Sequence, residues 1–179
     1  MKHLRLTDNA LGEFVFLNRT RCDLSEEVTV LGCTLWSYVL PTAREAVSRS
    51  LNDFYAVSGW TLEKYNDAHA QDVKWLEEQC ATIKAQEPGR RVVILTHHAP
   101  TFHNTSAPEH RGGILNSAFA TEMTTSPCWG SPVKVWAFGH THFNCDDVLK
   151  GVRVVSNQRG YEGLEANQTG FFEEKVLLV

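Results

Sequence analysis

The sequence predicts a single α/β domain, residues 1–179, built on a mixed β-sheet. Apolar, β-branched runs recur along the chain, and between them apolar residues repeat at three- and four-residue steps. The last three strand-like runs are closely spaced, which suggests a mixed or antiparallel part of the sheet. A chain of 179 residues, 42% hydrophobic and 21% charged, suits one domain with a real core.

The elements follow in order. "VTVLGCTLW", Val28 to Trp36, reads as a strand. After Pro41, the Thr42/Glu45 pair forms a capping box that starts a helix with an apolar stripe of Val47, Leu51 and Phe54. A longer helix starts after Thr61. Its stripe is Leu62, Tyr65, Val73, Leu76, Cys80 and Ile83, and Pro88-Gly89 stops it. His69 fills the gap in that stripe and reads as a helix-face histidine packed at the edge of the core. Val92 to Leu95 form a continuous apolar run, expected of a strand buried on both faces. It ends in Thr96, His97 and His98. A polar loop from Thr101 to Gly113 and a short helix from Asn116 to Met123 come next. "VKVWAFGHTH", "VRVVSNQRGY" and the C-terminal "FFEEKVLLV" complete the strands.

Composition excludes some partners. The net charge of −4 offers no basic field for nucleic acid, and no stripe of basic and aromatic residues occurs. No apolar run approaches the roughly 18 residues that span a membrane. Cys22, Cys33, Cys80, Cys128 and Cys145 show no CxxC spacing, and "MKHLRLTDNALGEFVFL" lacks a signal-peptide core. A cytoplasmic protein with reduced thiols is expected. The N-x-S/T triplets at Asn18, Asn104 and Asn167 then read as chance.

The chemistry concentrates at strand ends. In a strand, i and i+2 share a face, so His140 and His142 point the same way if the strand persists past Gly139. Gly139 removes a side chain where a ligand or second backbone would approach. His97 ends another apolar strand. If those strands are neighbours, His97, His140 and His142 converge beyond the carboxyl ends, where α/β sheets place ligands. Three imidazoles are enough to hold Zn²⁺ or a similar ion with one position open.

"VVILTHHAPT" and "VWAFGHTHFN", in that order, resemble the last two signature blocks of the calcineurin-like metallophosphoesterases, and "VVSNQRGY" resembles the strand and turn behind the second. The resemblance runs from about Val28 to the end. It implies a layered αββα sandwich of mixed sheets and a phosphoester substrate hydrolysed by a metal-activated hydroxide. The site would hold two divalent ions from among Mn, Fe and Zn. His97 and His140 would bind one ion and His142 the other. His98 would sit beside the site, touching a substrate oxygen or donating a proton.

The family's earlier D-x-H, G-D and G-N-H-D/E blocks are absent, and with them two aspartates, an asparagine and a histidine. The chain therefore reads as the C-terminal half to two-thirds of such an enzyme, incomplete at its N-terminus, with residues 1–27 following the asparagine block. Two ions about 3.5–4 Å apart repel strongly without carboxylates between them, so one ion or none is expected here. A catalytically incomplete binding or scaffold module on the same fold is the alternative, and a mononuclear zinc protein is a third reading. Around the site, Asn144 either orients a ligand histidine through a hydrogen bond or is a turn residue. His103, His110 and Arg111 either select substrate or are solvated loop residues. Arg159 is a second guanidinium able to meet a phosphate. Asp146 and Asp147 read as part of a strand-turn-strand surface rather than as ligands.

Overall fold

The computed structural model describes residues 14–161 and 170–179. The Asn167 triplet and residues 1–13 lie outside the described residues. The strands are β1 (Thr20–Asp23), β2 (Val28–Gly32), β3 (Arg91–Leu95), β4 (Val133–Phe138), β5 (Asp146–Leu149) and β6 (Val152–Ser156). The helices are α1 (Arg44–Ser50), α2 (Asp53–Ala56) and α3 (Leu62–Gln86).

Among the described residues the strands form one six-stranded sheet, ordered β1-β2-β3-β4-β6-β5. The four inner strands are parallel, and the two outer ones run antiparallel to their neighbours. The mixed α/β class is therefore as expected, while a second sheet is not among the described residues. The parallel inner strands bring four carboxyl ends to one edge, and His97 and His140 follow two of them.

One sheet face packs on α3. Leu76, Cys80 and Ile83 meet Leu31, Val92, Ile94, Trp136 and Val152, all buried. Burial of each such side chain contributes about 1.5–3 kcal/mol. Thr61 caps α3, its hydroxyl accepting from the Lys64 amide at 3.3 Å. His69 is buried at the helix surface, bonded through Nδ1 to the Leu35 carbonyl at 2.8 Å. A second cluster of Val39, Ala43, Val47, Leu51, Tyr65 and Ala118 lies under the loop that leaves β2.

Several expectations need correction. β2 stops at Gly32 rather than Trp36, because Leu35 and Trp36 take left-handed φ values of 69° and 45°. That turn aims the Thr34 carbonyl at the amides of His97 and His98, at 3.2 and 3.1 Å. The capping box does not form. Thr42 lies in a 3₁₀ turn, the cap of α1 is Ala43 without a side-chain bond, and Glu45 pairs with Arg49 instead. The helix then breaks at Leu51, so Phe54 belongs to the separate α2. β3 is fully buried on one face only; Val93 and Leu95 keep partial exposure. The helix expected over Asn116–Met123 is reduced to a 3₁₀ turn, Asn116–Ala118.

The C-terminal run is not a strand. Side chains rather than a ladder hold it: Arg91 donates to the Val179 carbonyl, Asn157 exchanges bonds with Phe172, and Lys175 pairs with Asp146. Asp146 and Asp147 do lie in a strand-turn-strand unit, turning at Lys150 and Gly151 with φ of 47° and 81°. Positive φ at both positions is what a tight hairpin turn needs. All five cysteines are free thiols. Among the described residues no helix is long and apolar enough to cross a membrane.

Candidate functional site

β3 and β4 are hydrogen-bonded neighbours, with Leu95 opposite Ala137. Their pairing continues past the strand ends. Thr96 N donates to the Ala137 carbonyl and Gly139 N to the His97 carbonyl, both at 3.0 Å. The backbone that approaches Gly139 is thus that of His97. Thr96 locks the turn, its hydroxyl donating to the His98 carbonyl at 2.8 Å and accepting from Trp136 Nε1 at 3.0 Å.

Three imidazoles gather here. The His140 ring lies 4.7 Å from that of His97 and 4.3 Å from that of His98, centroid to centroid. Phe119 stacks on His140 at 4.5 Å and 18°. The strand does not persist through the G-H-T-H run, however. His140 and His142 have φ of 67° and 51°, so the same-face rule for strands does not apply to them. His142 instead sets its ring edge-on to Tyr161 at 4.6 Å. Left-handed backbone costs an ordinary residue about 1–2 kcal/mol, so this turn is held by its surroundings.

Gln158, just beyond β6, does much of the holding. Its Oε1 accepts from the His142 amide at 2.8 Å. Its Nε2 donates to the Phe143 carbonyl at 3.0 Å and to Thr141 Oγ1 at 3.2 Å. Asn144 pairs with the Gln158 backbone, donating from Nδ2 to its carbonyl at 3.0 Å and accepting from its amide through Oδ1. Asn144 therefore reaches His142 through Gln158. Sequence reading passed over Gln158; its signal was a polar pair, Asn157-Gln158, ending an apolar strand beside the one that carries His140.

The electrostatics favour neutral imidazoles. His98 is 2% exposed, enclosed by Trp36, Tyr65, His97 and His140, and its Nδ1 meets Ser37 Oγ at 2.9 Å. Burial first, then the neighbouring histidines, holds it well below the usual imidazole range. His140 is pushed down to about 3 by burial and by His97 and His142. His97 is exposed, though desolvation by its neighbours still lowers it, with the Asp53 carboxylate acting the other way. Neutral imidazole is the form that ligates metals. His140 Nε2 is buried and has no hydrogen-bond partner. Leaving such a nitrogen unpaired costs about 1–3 kcal/mol.

The remaining expected site residues are placed as follows. Arg111 is tied within its own loop, to the Ser106 carbonyl at 3.0 Å and Asn104 Oδ1 at 2.7 Å, with its guanidinium 5.7 Å over Phe143. Asn104 in turn donates to Asp147 at 2.6 Å, so Asp147 anchors that loop. Asp146 pairs with Arg153 and Lys175. His103, His110 and Arg159 are exposed. His98 sits behind His140 rather than at the surface where substrate would arrive. Among the described residues, no group of three or more His, Cys, Asp or Glu side chains is disposed to hold one metal ion. His97 and His140 stand as a pair, with His142 turned toward Tyr161.

No family model matches the chain, and no solved structure matches it. Among curated proteins it is similar to the uncharacterized protein L509 of Acanthamoeba polyphaga mimivirus, 28% identical over 145 residues. That match covers 76% of this chain and 51% of the viral protein, so the chain spans about half the length of the curated relative it matches.

Proposed function

We propose that the chain carries the histidine part of a metal-dependent phosphoric ester hydrolase, on a layered calcineurin-like αββα fold. One observation carries the reading. His140 Nε2 is buried without a partner, beside His97, at the carboxyl ends of two parallel strands. An orphaned neutral nitrogen in that position fits a metal ligand better than a packing histidine, which would find a hydrogen bond. The donor set fits one ion in part. His97 and His140 would hold it, and His142 would join on a rotation away from Tyr161. A divalent ion there supplies polarisation of a phosphoryl oxygen and a water pKa near about 7.

The chain's own residues supply the rest. His98 and Phe119 fix the His140 ring from two sides, Ser37 fixes His98, and Gln158 fixes the backbone of the G-H-T-H turn. With a net charge of −4, a small phosphoester is favoured over nucleic acid. Five free thiols fit a cytoplasmic setting. The second reading, a binding or scaffold module without catalysis, is favoured because no group of three or more His, Cys, Asp or Glu side chains is disposed to hold one ion among the described residues.

Hydrolysis of p-nitrophenyl phosphate and its bis-ester with added Mn²⁺, beside a His140→Ala control, separates the two. Metal-dependent turnover lost in the variant supports the hydrolase. A folded protein that binds Mn²⁺ through His140 without turnover supports the module.

A further inference from the structure

We propose that the cavity beside Phe119 is a subsite for a planar, uncharged or cationic aromatic group, the part of a phosphoester substrate that is not phosphate. This rests on the hydrolase reading above and adds a substrate class to it. The cavity measures about 360 Å³, within the roughly 300–1,000 Å³ of small-molecule sites. Its walls include Ile114, Leu115 and Phe119, with Asn116, His110 and Glu109 as its polar members.

Three features select the occupant. Phe119 is shared with the histidine cluster, because the ring that lines the cavity also stacks on His140. One ring is therefore common to the cavity wall and the histidine cluster. Aromatic groups pack on such a ring in offset or edge-on geometry, and Ile114, 60% exposed, offers apolar surface left uncovered among the described residues. Charge decides the rest. Among the described residues no lysine or arginine lines the cavity, whereas Glu109 does, so a phosphate is disfavoured inside and a neutral or cationic ring is not. Asn116 adds an amide that both donates and accepts, matched to heteroatoms on a ring edge.

The test uses 2-naphthol, an aromatic probe without phosphate, titrated into the full chain and followed by amide NMR shifts. Binding is expected to move the signals of residues 110–119, and Ile114→Asp is expected to weaken it roughly tenfold or more. Val148→Asp, an exposed change on β5, should bind as the unaltered protein does. In parallel, 1-naphthyl phosphate should be hydrolysed with a higher kcat/KM than methyl phosphate, and Ile114→Asp should narrow that gap. No naphthol binding, or binding indifferent to Ile114→Asp, overturns the subsite whatever the esters do. Self-association abolished by Ile114→Asp without naphthol binding overturns it too, giving the surface to a second copy. Naphthol binding lost in Ile114→Asp, with neither ester hydrolysed, supports the aromatic site and overturns the hydrolase reading alone.

Discussion

Replacing Gln158 by leucine keeps a side chain of similar size and removes every bond its amide makes to the G-H-T-H turn. Three are lost: one accepted from His142 N and two donated to Thr141 Oγ1 and the Phe143 carbonyl. At a net value of about 0.5–1.5 kcal/mol each, the sum is about 1.5–4.5 kcal/mol. The lower half of that range is expected, because the site is half-buried and water can meet part of the demand. Near 2 kcal/mol, the melting temperature should fall by about 4–8 °C for a domain of this size. The turn also sets the two histidines at φ of 67° and 51°. Its release should weaken Mn²⁺ or Zn²⁺ binding by about 10–100-fold, the usual cost of losing a group that orients ligands. Gln158→Glu keeps the acceptor for His142 and loses both donors, so it should fall between. Thermal melts and titration calorimetry read both effects. A Gln158→Leu protein with unaltered melting and unaltered metal affinity would show that the turn is held by other contacts.

Other changes have definite expected signs. Asp146 is held down to about 2 by its bonds to Arg153 and then Lys175. Its stabilisation is present above the unfolded carboxylate value near about 3.9 and is lost as pH falls through the folded value. Asp146→Asn should therefore flatten the acid limb of a melting-temperature profile and cost only about 1 kcal/mol at neutral pH, since the pair is a surface one. Thr61→Ala removes the cap of α3 and should cost about 1 kcal/mol in urea unfolding. Gly139→Ala places a methyl 3.6 Å from His97 Nδ1, an ordinary contact. It should melt close to the unaltered protein; a large loss would mean that the approach of His97 is tighter than this geometry.

The parts of the fold readable from sequence are those with a strong period. The stripe of α3, the runs of β3, β4 and β6, and the hairpin at Lys150-Gly151 all follow local rules that tertiary packing reinforces. β1 escaped because "TRCD" has no apolar alternation; it exists because β2 needs a partner on that side. The C-terminal run shows the converse, apolar enough to read as a strand yet fixed by Arg91, Asp146 and Asn157 in another course. The meeting of His97 with His140 was legible because both close apolar strands. The direction of His142 was not. Period-two reasoning fails once the backbone turns left-handed, and the bonds from Gln158 that help hold that turn come from another strand's end.

The strain and the orphaned nitrogen point in one direction. Trp36, which packs on His98, and His140 and His142 of the G-H-T-H turn all take positive φ. Each costs on the order of 1–3 kcal/mol, and such costs persist where the surroundings over-determine a functional geometry. Packing alone gives no reason to enclose His140 Nε2 without a partner. On the proposed metal reading a cation would supply that partner, since a neutral imidazole need lose no proton on ligation. Neutral ligands also set the count. One divalent ion meets no repulsion from neutral ligands, whereas a second within about 4 Å of the first would need carboxylates between them. Stoichiometry near one per chain in calorimetry is the corresponding expectation, with loss in His140→Ala. A ratio near two would require carboxylates between the ions and would refute the argument from charge.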